Sequence, residues 1–405
     1  MKKGWQTKKL ADLVEVQNGY AFSSKDYSES GHFLMRIGNV QNGYISTADP
    51  KFIKLPADGS LQRFVLSEDD ILVSLTGNVG RVGVIQESHL PAALNQRVAR
   101  ISIRKDSPAT RELILLFLCS DWFREELIGA GHGAAQQNVS TKDLVEIEIP
   151  VPPLAEQQRI VGLLDEAFEG LATAKANAEN NLQNARALFE SHLQSVFTQR
   201  GEGSQTKTLE EACQFSNGLW KGEKPPFVKV GVIRNTNFTK EGTLDDSDIA
   251  YLDVEAKKLE KRRLQFGDII LEKSGGGPKQ PVGRVALFDK QEGDFSFSNF
   301  TAALRVLDPD ELDFRFVHRF LHWTYLSGVT KGMQSNSTGI RNLDGDAYKA
   351  IDISFPPLAE QQRIVAQLDA LSQETQRLAR LYERKHAALE ALKKSLLHQA
   401  FTGEL

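Results

Sequence analysis

Residues 152–161 read PPLAEQQRIV, and residues 356–365 repeat the same ten letters. When the comparison is extended without gaps, residues 152–198 and 356–402 share 19 of 47 letters, with most identities near the two ends. Unrelated segments do not match in this way, and a long identity at one offset is the signature of an internal repeat. The 405-residue chain therefore contains two copies of one unit.

Each copy of the motif predicts the start of a long helix. Two prolines suit a helix entrance, where the amide hydrogens they lack would have no partner, and no proline follows within either segment. Apolar residues recur at helical spacing, as Ile160 and Leu164 do in the first copy and Ile364 and Leu368 in the second. About 43 residues at 1.5 Å each would give a rod of roughly 65 Å.

A stripe this narrow on so long a helix needs another helix to cover it, so we expect the two copies to pair antiparallel. The alternative is that they are ordinary helices of two separate cores. Small residues in the stripe, such as Ala174 and Ala178, favour close contact between helices instead.

The segments between the helices also repeat one another. In the first, we expect a short helix or strand at 10–16, strands at 33–40 and 69–77, a hairpin turn at Asn42-Gly43, a helix at 109–128, a flexible loop at 129–140 and an edge strand at 144–149. In the second, the same order predicts strands at 228–238 and 267–277, a helix near 311–328, a loop at 332–342 and a strand at 351–355.

The predicted fold class is α+β, with two homologous mixed α/β modules separated by a pair of long antiparallel α-helices, a coiled coil, in an internal pseudo-twofold repeat. The boundaries are a first module at 1–150, a first long helix at 151–200, a linker at 201–206, a second module at 207–355, and a second long helix with a C-terminal tail at 356–405.

Composition by itself argues against a nucleic-acid function. The formal net charge is -4 and the pI is near 6.1, whereas phosphate contacts usually come from a basic surface. If the chain binds DNA, its basic residues must be clustered by the fold, or a partner must supply phosphate contacts. Only two cysteines, Cys119 and Cys213, are present, so no disulfide framework or four-cysteine zinc site is expected. A cytoplasmic protein without a membrane segment is predicted.

Several segments resemble catalytic motifs without meeting their requirements. KPPF at 224–227 has Lys where an amino-methyltransferase needs a side chain that accepts a hydrogen bond from the target amine. SGGGPKQ at 274–280 lacks the spacing of a phosphate-binding loop. His318 and His322 stand at i and i+4, but Arg319 occupies the position where a zinc protease needs Glu. We therefore predict neither a catalytic centre nor a metal site.

A module, a helix opening with PPLAEQQRIV, a second module, the same helix and a tail ending AFTGEL together resemble the DNA-specificity subunit of type I restriction-modification systems. The resemblance covers essentially the whole chain and is most specific in the helices and the tail. It implies a non-catalytic subunit whose modules each bind one half of a bipartite target in double-stranded DNA.

The resemblance also implies partners. Two methyltransferase subunits would dock on the helices and transfer a methyl group from S-adenosylmethionine to adenine, and ATP-driven motor-nuclease subunits would complete the restriction complex. The cofactors S-adenosylmethionine, ATP and Mg²⁺ would belong to those subunits, with none in this chain. Charged residues at the two helix starts are candidate partner contacts: Glu156, Arg159, Glu360 and Arg363.

Polar residues beside glycines in the module loops are the candidate DNA contacts. Arg and Lys suit guanine and Asn and Gln suit adenine when they reach a base edge, and glycine allows close approach of the backbone to phosphate. In the first module they are Thr76, Asn78, Arg81, Gln136, Gln137, Asn138 and Ser140. In the second they are Lys273, Ser274, Lys279, Arg284, Asn336, Ser337, Thr338, Arg341 and Asn342.

Two other interpretations remain open on sequence. One is a coiled-coil assembly scaffold without base readout, which the acidic balance favours and the amide-bearing loops disfavour. The other is an orphan specificity subunit that serves methylation only. A salt-dependent, sequence-preferring interaction with DNA would separate the first from the main interpretation.

Overall fold

A computed structural model describes residues 2–131, 138–198, 203–219, 222, 224–277, 280–337 and 340–405, apart from the side chains of 336 and 337. The chain divides into two compact units. The first unit comprises residues 1–178 and 383–405, and the second comprises residues 179–382. The two dividing points lie at corresponding positions of the repeat, so each unit combines one module with a part of each long helix.

The first module is built from short strands and helices and leads into the first long helix. Its strands are β1 (Gln6–Lys9), β2 (Val14–Asn18), β3 (Tyr27–Ser28), β4 (His32–Met35), β5 (Val40–Gln41), β6 (Tyr44–Ile45), β7 (Phe52–Ile53), β8 (Val65–Leu66), β9 (Ile71–Ser74), β10 (Val82–Val84), β11 (Ala92–Leu94), β12 (Val98–Ile103) and β13 (Glu148–Val151). Its helices are α1 (Leu10–Leu13), α2 (Arg111–Leu118), α3 (Asp121–Gly129) and α4 (Thr141–Val145), followed by the long helix α5 (Leu154–Thr198).

The second module follows the same order. Its strands are β14 (Gln205–Thr208), β15 (Cys213–Asn217), β16 (Phe227–Ile233), β17 (Ala250–Glu255), β18 (Ile269–Glu272), β19 (Ser274–Gly276), β20 (Val285–Leu287), β21 (Phe295–Phe297), β22 (Thr301–Val306), β23 (Gln334–Ser337), β24 (Ile340–Leu343) and β25 (Asp352–Phe355). Its helices are α6 (Leu209–Ala212), α7 (Ala256–Glu260), α8 (Phe314–Leu326) and α9 (Gly345–Lys349), followed by the long helix α10 (Leu358–Thr402).

The sheets of the two modules correspond strand for strand in their central parts. A four-stranded antiparallel sheet has the order β10-β9-β12-β2 in the first module and β20-β18-β22-β15 in the second. A second sheet contains a parallel pair in each, β4 with β11 and β16 with β21. The N-terminal strand of each module pairs with the strand before its long helix. This correspondence confirms the predicted mixed α/β repeat.

Both long helices form as predicted, and segments of them pair in the first unit. Ile160 near the start of α5 and Phe401 near the end of α10 share one buried core, where Phe401 packs edge-on against Phe117. Further along, Lys175 Nζ lies 2.9 Å from Glu390 Oε1. Residue numbers rise on one helix as they fall on the other, so the pairing in this unit is antiparallel.

The second unit buries the end of α5 and the start of α10 in an equivalent way. Phe197 contacts the rings of Phe316 and Phe320, and Val365 belongs to the same core. The apolar stripe predicted on the second helix also includes Leu381, which is 42% exposed, so the stripe is not buried along its whole length. No helix in the described part of the chain is long and apolar enough to cross a membrane.

The contacts of Gln157 explain why the repeated motif has a glutamine at this position. This side chain is buried, and its Oε1 accepts a hydrogen bond from the backbone N–H of Thr110 at 2.8 Å. Its Nε2 donates to the carbonyls of Pro108 and Pro152, both at 2.8 Å. One amide therefore joins the start of α5 to the N-cap of α2.

Gln361 makes the same three contacts in the second module. Its Oε1 accepts from the N–H of Asp313 at 2.8 Å, and its Nε2 donates to the carbonyls of Glu311 at 2.9 Å and Pro356 at 2.8 Å. Asp313 is the N-cap of α8. In each copy of the motif, the amide of this glutamine thus fixes the long helix to the preceding module. The amide oxygen and both amide N–H groups are hydrogen-bonded.

Some local predictions are wrong, and side-chain caps explain two of them. The predicted helix at 109–128 is two helices, because Ser120 Oγ accepts from the N–H of Phe123 at 3.1 Å and starts α3. The predicted edge strand at 144–149 begins only at residue 148. Ser140 and Asp143 form a capping box there, and the box starts the short helix α4.

Other errors concern strand boundaries. The strand predicted at 33–40 ends at Met35, where a turn leads to the hairpin of β5 and β6 that was expected at Asn42-Gly43. Within the predicted linker, Gln205 and Thr206 belong to β14. The loop predicted at 332–342 is instead a β-hairpin, whose strands β23 and β24 pair from Gln334–Leu343 to Ser337–Ile340.

Candidate nucleic-acid interface

Two predicted loops of the first module meet in the structure. Thr76, after β9, forms a β-bridge with Asn138, and the N–H of Val139 donates to the Leu75 carbonyl at 2.9 Å. Ser74 Oγ donates to the carbonyl of Asn78 at 2.5 Å and fixes the glycine-punctuated turn. Two candidates on the second loop, Gln136 and Gln137, lie outside the described residues.

Arg81 lies at the exit of the same turn. Its Nη1 donates to Oε1 of Gln41 at 2.7 Å, a residue on β5 that sequence reasoning did not single out. Asn138 is exposed. Ser140 is also exposed, but its hydroxyl is occupied with Asp143 in the cap of α4.

The second module brings the corresponding segments together as a small sheet. Strand β19 pairs with β24 in the register Ser274 to Asn342, and Ser274 Oγ donates to Asn342 Oδ1 at 2.6 Å. The backbone of Asn336 and Ser337 lies in β23. The side chains of those two residues, and the whole of Lys279 and Thr338, lie outside the described residues.

The basic candidates at these two places share one feature: side-chain amides hold them. Arg81 donates to Gln41, Lys273 Nζ donates to Asn217 Oδ1 at 2.8 Å, and Arg341 Nη1 donates to Gln334 Oε1 at 3.4 Å. None of the three cations forms an ion pair with a carboxylate among the described residues.

A neutral amide orients a cation without cancelling its charge. In the described part of the chain, these three positive charges are therefore not neutralised by a carboxylate, despite the acidic net charge. Partial burial lowers the pKa of the Lys273 amine, but the shift is from an ordinary value near 10.5.

Arg284 is held differently. Its guanidinium forms a two-point ion pair with Glu272, at 2.8 and 2.9 Å, and Glu272 is only 1% exposed. It also donates to the carbonyl of Asn235 at 3.0 Å and lies over the ring of Phe238. These contacts direct Arg284 into the module.

A cavity of about 430 Å³ opens beside this ion pair. Its lining comes from three separate chain segments and consists of Asn235, Thr236, Glu272, Gly275, Gly276, Gly277, Gln280 and Arg284. Sequence reasoning named only Arg284 among them. The glycine run and its flanking residues were the one feature of the sequence that pointed to this cavity. Nothing in the sequence indicates that Asn235 and Gln280 lie close together.

His318 and His322 are packing residues of the second module. Both are buried on α8 with their rings stacked, and His318 Nε2 donates to the Gly242 carbonyl at 2.8 Å. Burial lowers the pKa of both imidazoles, to about 4 for His322. Among the described residues, no group of three or more His, Cys, Asp or Glu side chains is placed to hold a metal ion.

The candidate partner residues form ion pairs within each helix start. Arg159 contacts Glu156 at 2.7 and 3.0 Å, and Lys2 Nζ lies 3.2 Å from the same carboxylate. The hydrogen bond from Arg159 lowers the pKa of Glu156 to about 2. In the second helix, Arg363 contacts Glu360 at 2.7 and 2.5 Å, and the Arg363 side chain is 59% exposed.

The chain matches known proteins over its full length. One protein family matches the chain twice, at residues 2–183 and at residues 201–383. This family is described as the type I restriction modification DNA specificity domain. The EcoKI specificity subunit of Escherichia coli K12 is 22% identical, covering 100% of this chain and 90% of the relative. The StySPI specificity subunit of Salmonella potsdam is 23% identical over the same shares.

A solved structure is similar in fold. It comes from a type I R-M system and is described in terms of complex assembly and conformational transition. A chain of that structure superposes on this chain with a TM-score of 0.75 at 19% identity. The match covers 100% of this chain and 99% of the other. Two family matches in one chain favour DNA specificity over the scaffold interpretation. The chain belongs to the DNA-specificity subunits of type I restriction-modification systems.

Proposed function

We propose that each module reads one half of a bipartite target in double-stranded DNA and that the paired long helices set the spacing between the halves. The observation that supports this proposal is that two polar segments meet in each module beside cations whose described side-chain partners are amides: Arg81 in the first module, and Lys273 and Arg341 in the second. Such cations can contact phosphate, and neighbouring amides and hydroxyls can contact base edges.

The catalytic work would belong to partner subunits. Two methyltransferase subunits would bind the repeated helices and use S-adenosylmethionine to methylate adenine, and motor-nuclease subunits would use ATP and Mg²⁺. This chain would contribute specificity and assembly and no catalysis. Apolar side chains left exposed on the helices, including Leu154 at 57% and Leu188 at 60%, support a role in docking.

Partner binding is tested by exchanging charges within the ion pairs at the helix starts. The variant carries four substitutions: Glu156→Arg, Arg159→Glu, Glu360→Arg and Arg363→Glu. It keeps one positive and one negative side chain at each helix start but exchanges their positions, so a partner would face the opposite charge at each position. We expect its affinity for the methyltransferase subunit to fall roughly tenfold or more. Glu374→Arg with Arg377→Glu, an exposed pair of the same i, i+3 spacing, is the matched control and should bind normally. Wild-type affinity of the fourfold variant would exclude these residues as partner contacts.

The specificity role is tested by base-modification sequencing of the host genome with and without the gene. Loss of one bipartite methyladenine motif on deletion is the expected result, because this subunit would direct the methyltransferase. Binding of the full-length chain and its partners to random DNA at increasing salt gives an independent readout. Binding without sequence preference, together with an unchanged methylome, would support the scaffold alternative.

A further inference from the structure

We propose that the cavity beside Arg284 in the second module recognises the major-groove edge of an adenine, with Asn235 as hydrogen-bond acceptor and Gln280 as donor. This inference rests on the proposed function, because it names the base that one module reads. The inference starts from the position of Arg284, whose guanidinium is paired with Glu272 inside the module. The amides of Asn235 and Gln280 are the neighbouring groups that line the cavity.

Asn235 presents an acceptor to the cavity. Its Nδ2 donates to Glu272 Oε1 at 3.2 Å and to the Ser274 carbonyl at 3.5 Å, which fixes the rotation of the amide. Among the described residues, none donates to its Oδ1. An amide whose nitrogen is committed on one side leaves its oxygen for a donor group.

Gln280 presents a donor. In the flipped amide orientation, its Oε1 accepts from Arg284 Nη1 at 2.9 Å. Nε and Nη2 also lie near this oxygen, but they donate to Glu272 and to the Asn235 carbonyl. The Nε2 group then has no acceptor in the described part of the chain. Gln280 is exposed, so this donor is available to a ligand.

One acceptor and one donor match adenine and not guanine. In the major groove, adenine offers its N6 amino group as donor and N7 as acceptor, whereas guanine offers two acceptors, O6 and N7. With guanine in the cavity, the acceptor Asn235 Oδ1 would face a second acceptor, O6, and no hydrogen bond could form between them. An acceptor that a bound base covers, placed opposite another acceptor, is penalised because neither group is satisfied.

The backbone leaves room for a base at this point. Gly275 has φ of +104°, and a Cβ on it would lie 3.0 Å from Asn235 Nδ2. A side chain there would therefore press on the amide that reads the base. Nothing lies within 4 Å of a Cβ placed on Gly277, which keeps that edge of the cavity open.

The first module does not carry this arrangement. The N–H of Arg234 donates to Asn237 Oδ1 at 2.9 Å, and the N–H of Arg36 donates to Asn39 Oδ1 at 3.1 Å, so the two turns correspond. Asn235 then corresponds to Ile37, which has no amide. The two modules should consequently read different bases at this position.

The test is selection of DNA from a random library by the full subunit with its methyltransferase partners, using the wild-type chain, Gln280→Ala and Gln280→Glu. For Gln280→Ala we expect preference for adenine to fall roughly tenfold at one position of one half-site. For Gln280→Glu we expect a gain for cytosine, whose N4 amino group donates to carboxylates. Gln291→Ala, an exposed glutamine of the same module outside the cavity, is the matched control.

Each outcome is decisive. An unchanged motif with Gln280→Ala would overturn the inference. An equal loss of DNA affinity for every sequence would also overturn it, because that result would identify Gln280 as a phosphate contact. Persistence of the half-site read by the first module shows that the variant is folded and that the proposed function holds. Selection of no motif by the wild-type complex would instead contradict the proposed function itself.

Discussion

Arg81 and Arg284 occupy the same place in the repeat, before the corresponding strands β10 and β20, yet they are used differently. Arg81 is held by the neutral amide of Gln41, while Arg284 is paired with the buried carboxylate of Glu272. The position of Glu272 on β18 corresponds to Ser74 on β9, where a hydroxyl accepts the N–H of Arg81 at 3.0 Å.

This difference shows how one fold presents two surfaces. A serine beneath the turn leaves the arginine charge available, whereas a glutamate draws the arginine inward and exposes neighbouring amides instead. One buried residue can thereby change which groups the module offers to DNA, without a change in the strands.

The largest expected effect is on stability. Arg284→Ala leaves the buried carboxylate of Glu272 unpaired and should destabilise the second module by about 3 to 5 kcal/mol. Arg81→Ala removes one hydrogen bond to an amide and should cost at most about 1 kcal/mol in the first module. Hydrogen exchange measured by mass spectrometry on β18 and on β9 reports the two opening free energies separately.

The double variant Glu272→Ser and Arg284→Ala is the control for that comparison. It removes both charges and should recover part of the stability lost in Arg284→Ala. Equal destabilisation by the two single variants would mean that the arginines play the same structural part.

The next effect should be the same in both modules, because the contacts are the same. Gln157→Ala and Gln361→Ala each leave a backbone N–H and two carbonyls without their partner, at a cost of roughly 3 kcal/mol. The neighbouring exposed residues provide matched controls, and Gln158→Ala and Gln362→Ala should change the free energy of unfolding by less than about 0.5 kcal/mol. A large effect of the controls would show that the motif acts through the helix surface instead.

A smaller difference between the modules should appear in acid. The pKa of His322 is about 4 in the folded protein, below that of an exposed imidazole, so the unfolded chain binds a proton more readily. The stability that neutral His322 contributes to the second module should therefore be lost as pH drops from about 6.5 to 4, by roughly 2 kcal/mol at pH 5. His318, whose pKa is also lowered, adds to this loss in the same direction.

The first module has Leu115 and Cys119 where the second has His318 and His322, counted from the corresponding N-caps. We expect the variant His318→Leu and His322→Cys to lose this acid sensitivity, as measured by hydrogen exchange on α8 between pH 5 and 7. An unchanged pH dependence in that variant would assign it to other groups.

The sequence was sufficient to predict the repeat and the two long helices. An identical stretch with two prolines and a helical apolar period leaves few alternatives for Leu154–Thr198 and Leu358–Thr402. The errors lie where one polar residue decides a boundary. Ser120 divides a helix, and Ser140 turns an alternating segment into a short helix, because a side-chain cap outweighs a weak pattern.

The candidate site was less accessible from sequence. Glycine-rich turns identified the segments that meet, such as those carrying Ser274 and Asn342. The cavity residues Asn235 and Gln280 were missed because they are distant in sequence and become neighbours only through the sheet. Arg284 was predicted as a DNA contact, and its ion pair with Glu272 could not be read from spacing.

The most direct test of the account is base-modification sequencing of strains that carry Arg81→Ala or Gln280→Ala as the sole copy of the gene. We expect each variant to relax a bipartite methyladenine motif in one half only, and the two variants to affect opposite halves. If both variants alter the same half, the claim that each module reads its own half-site is contradicted. If neither variant alters the motif, Arg81 and Gln280 do not read it.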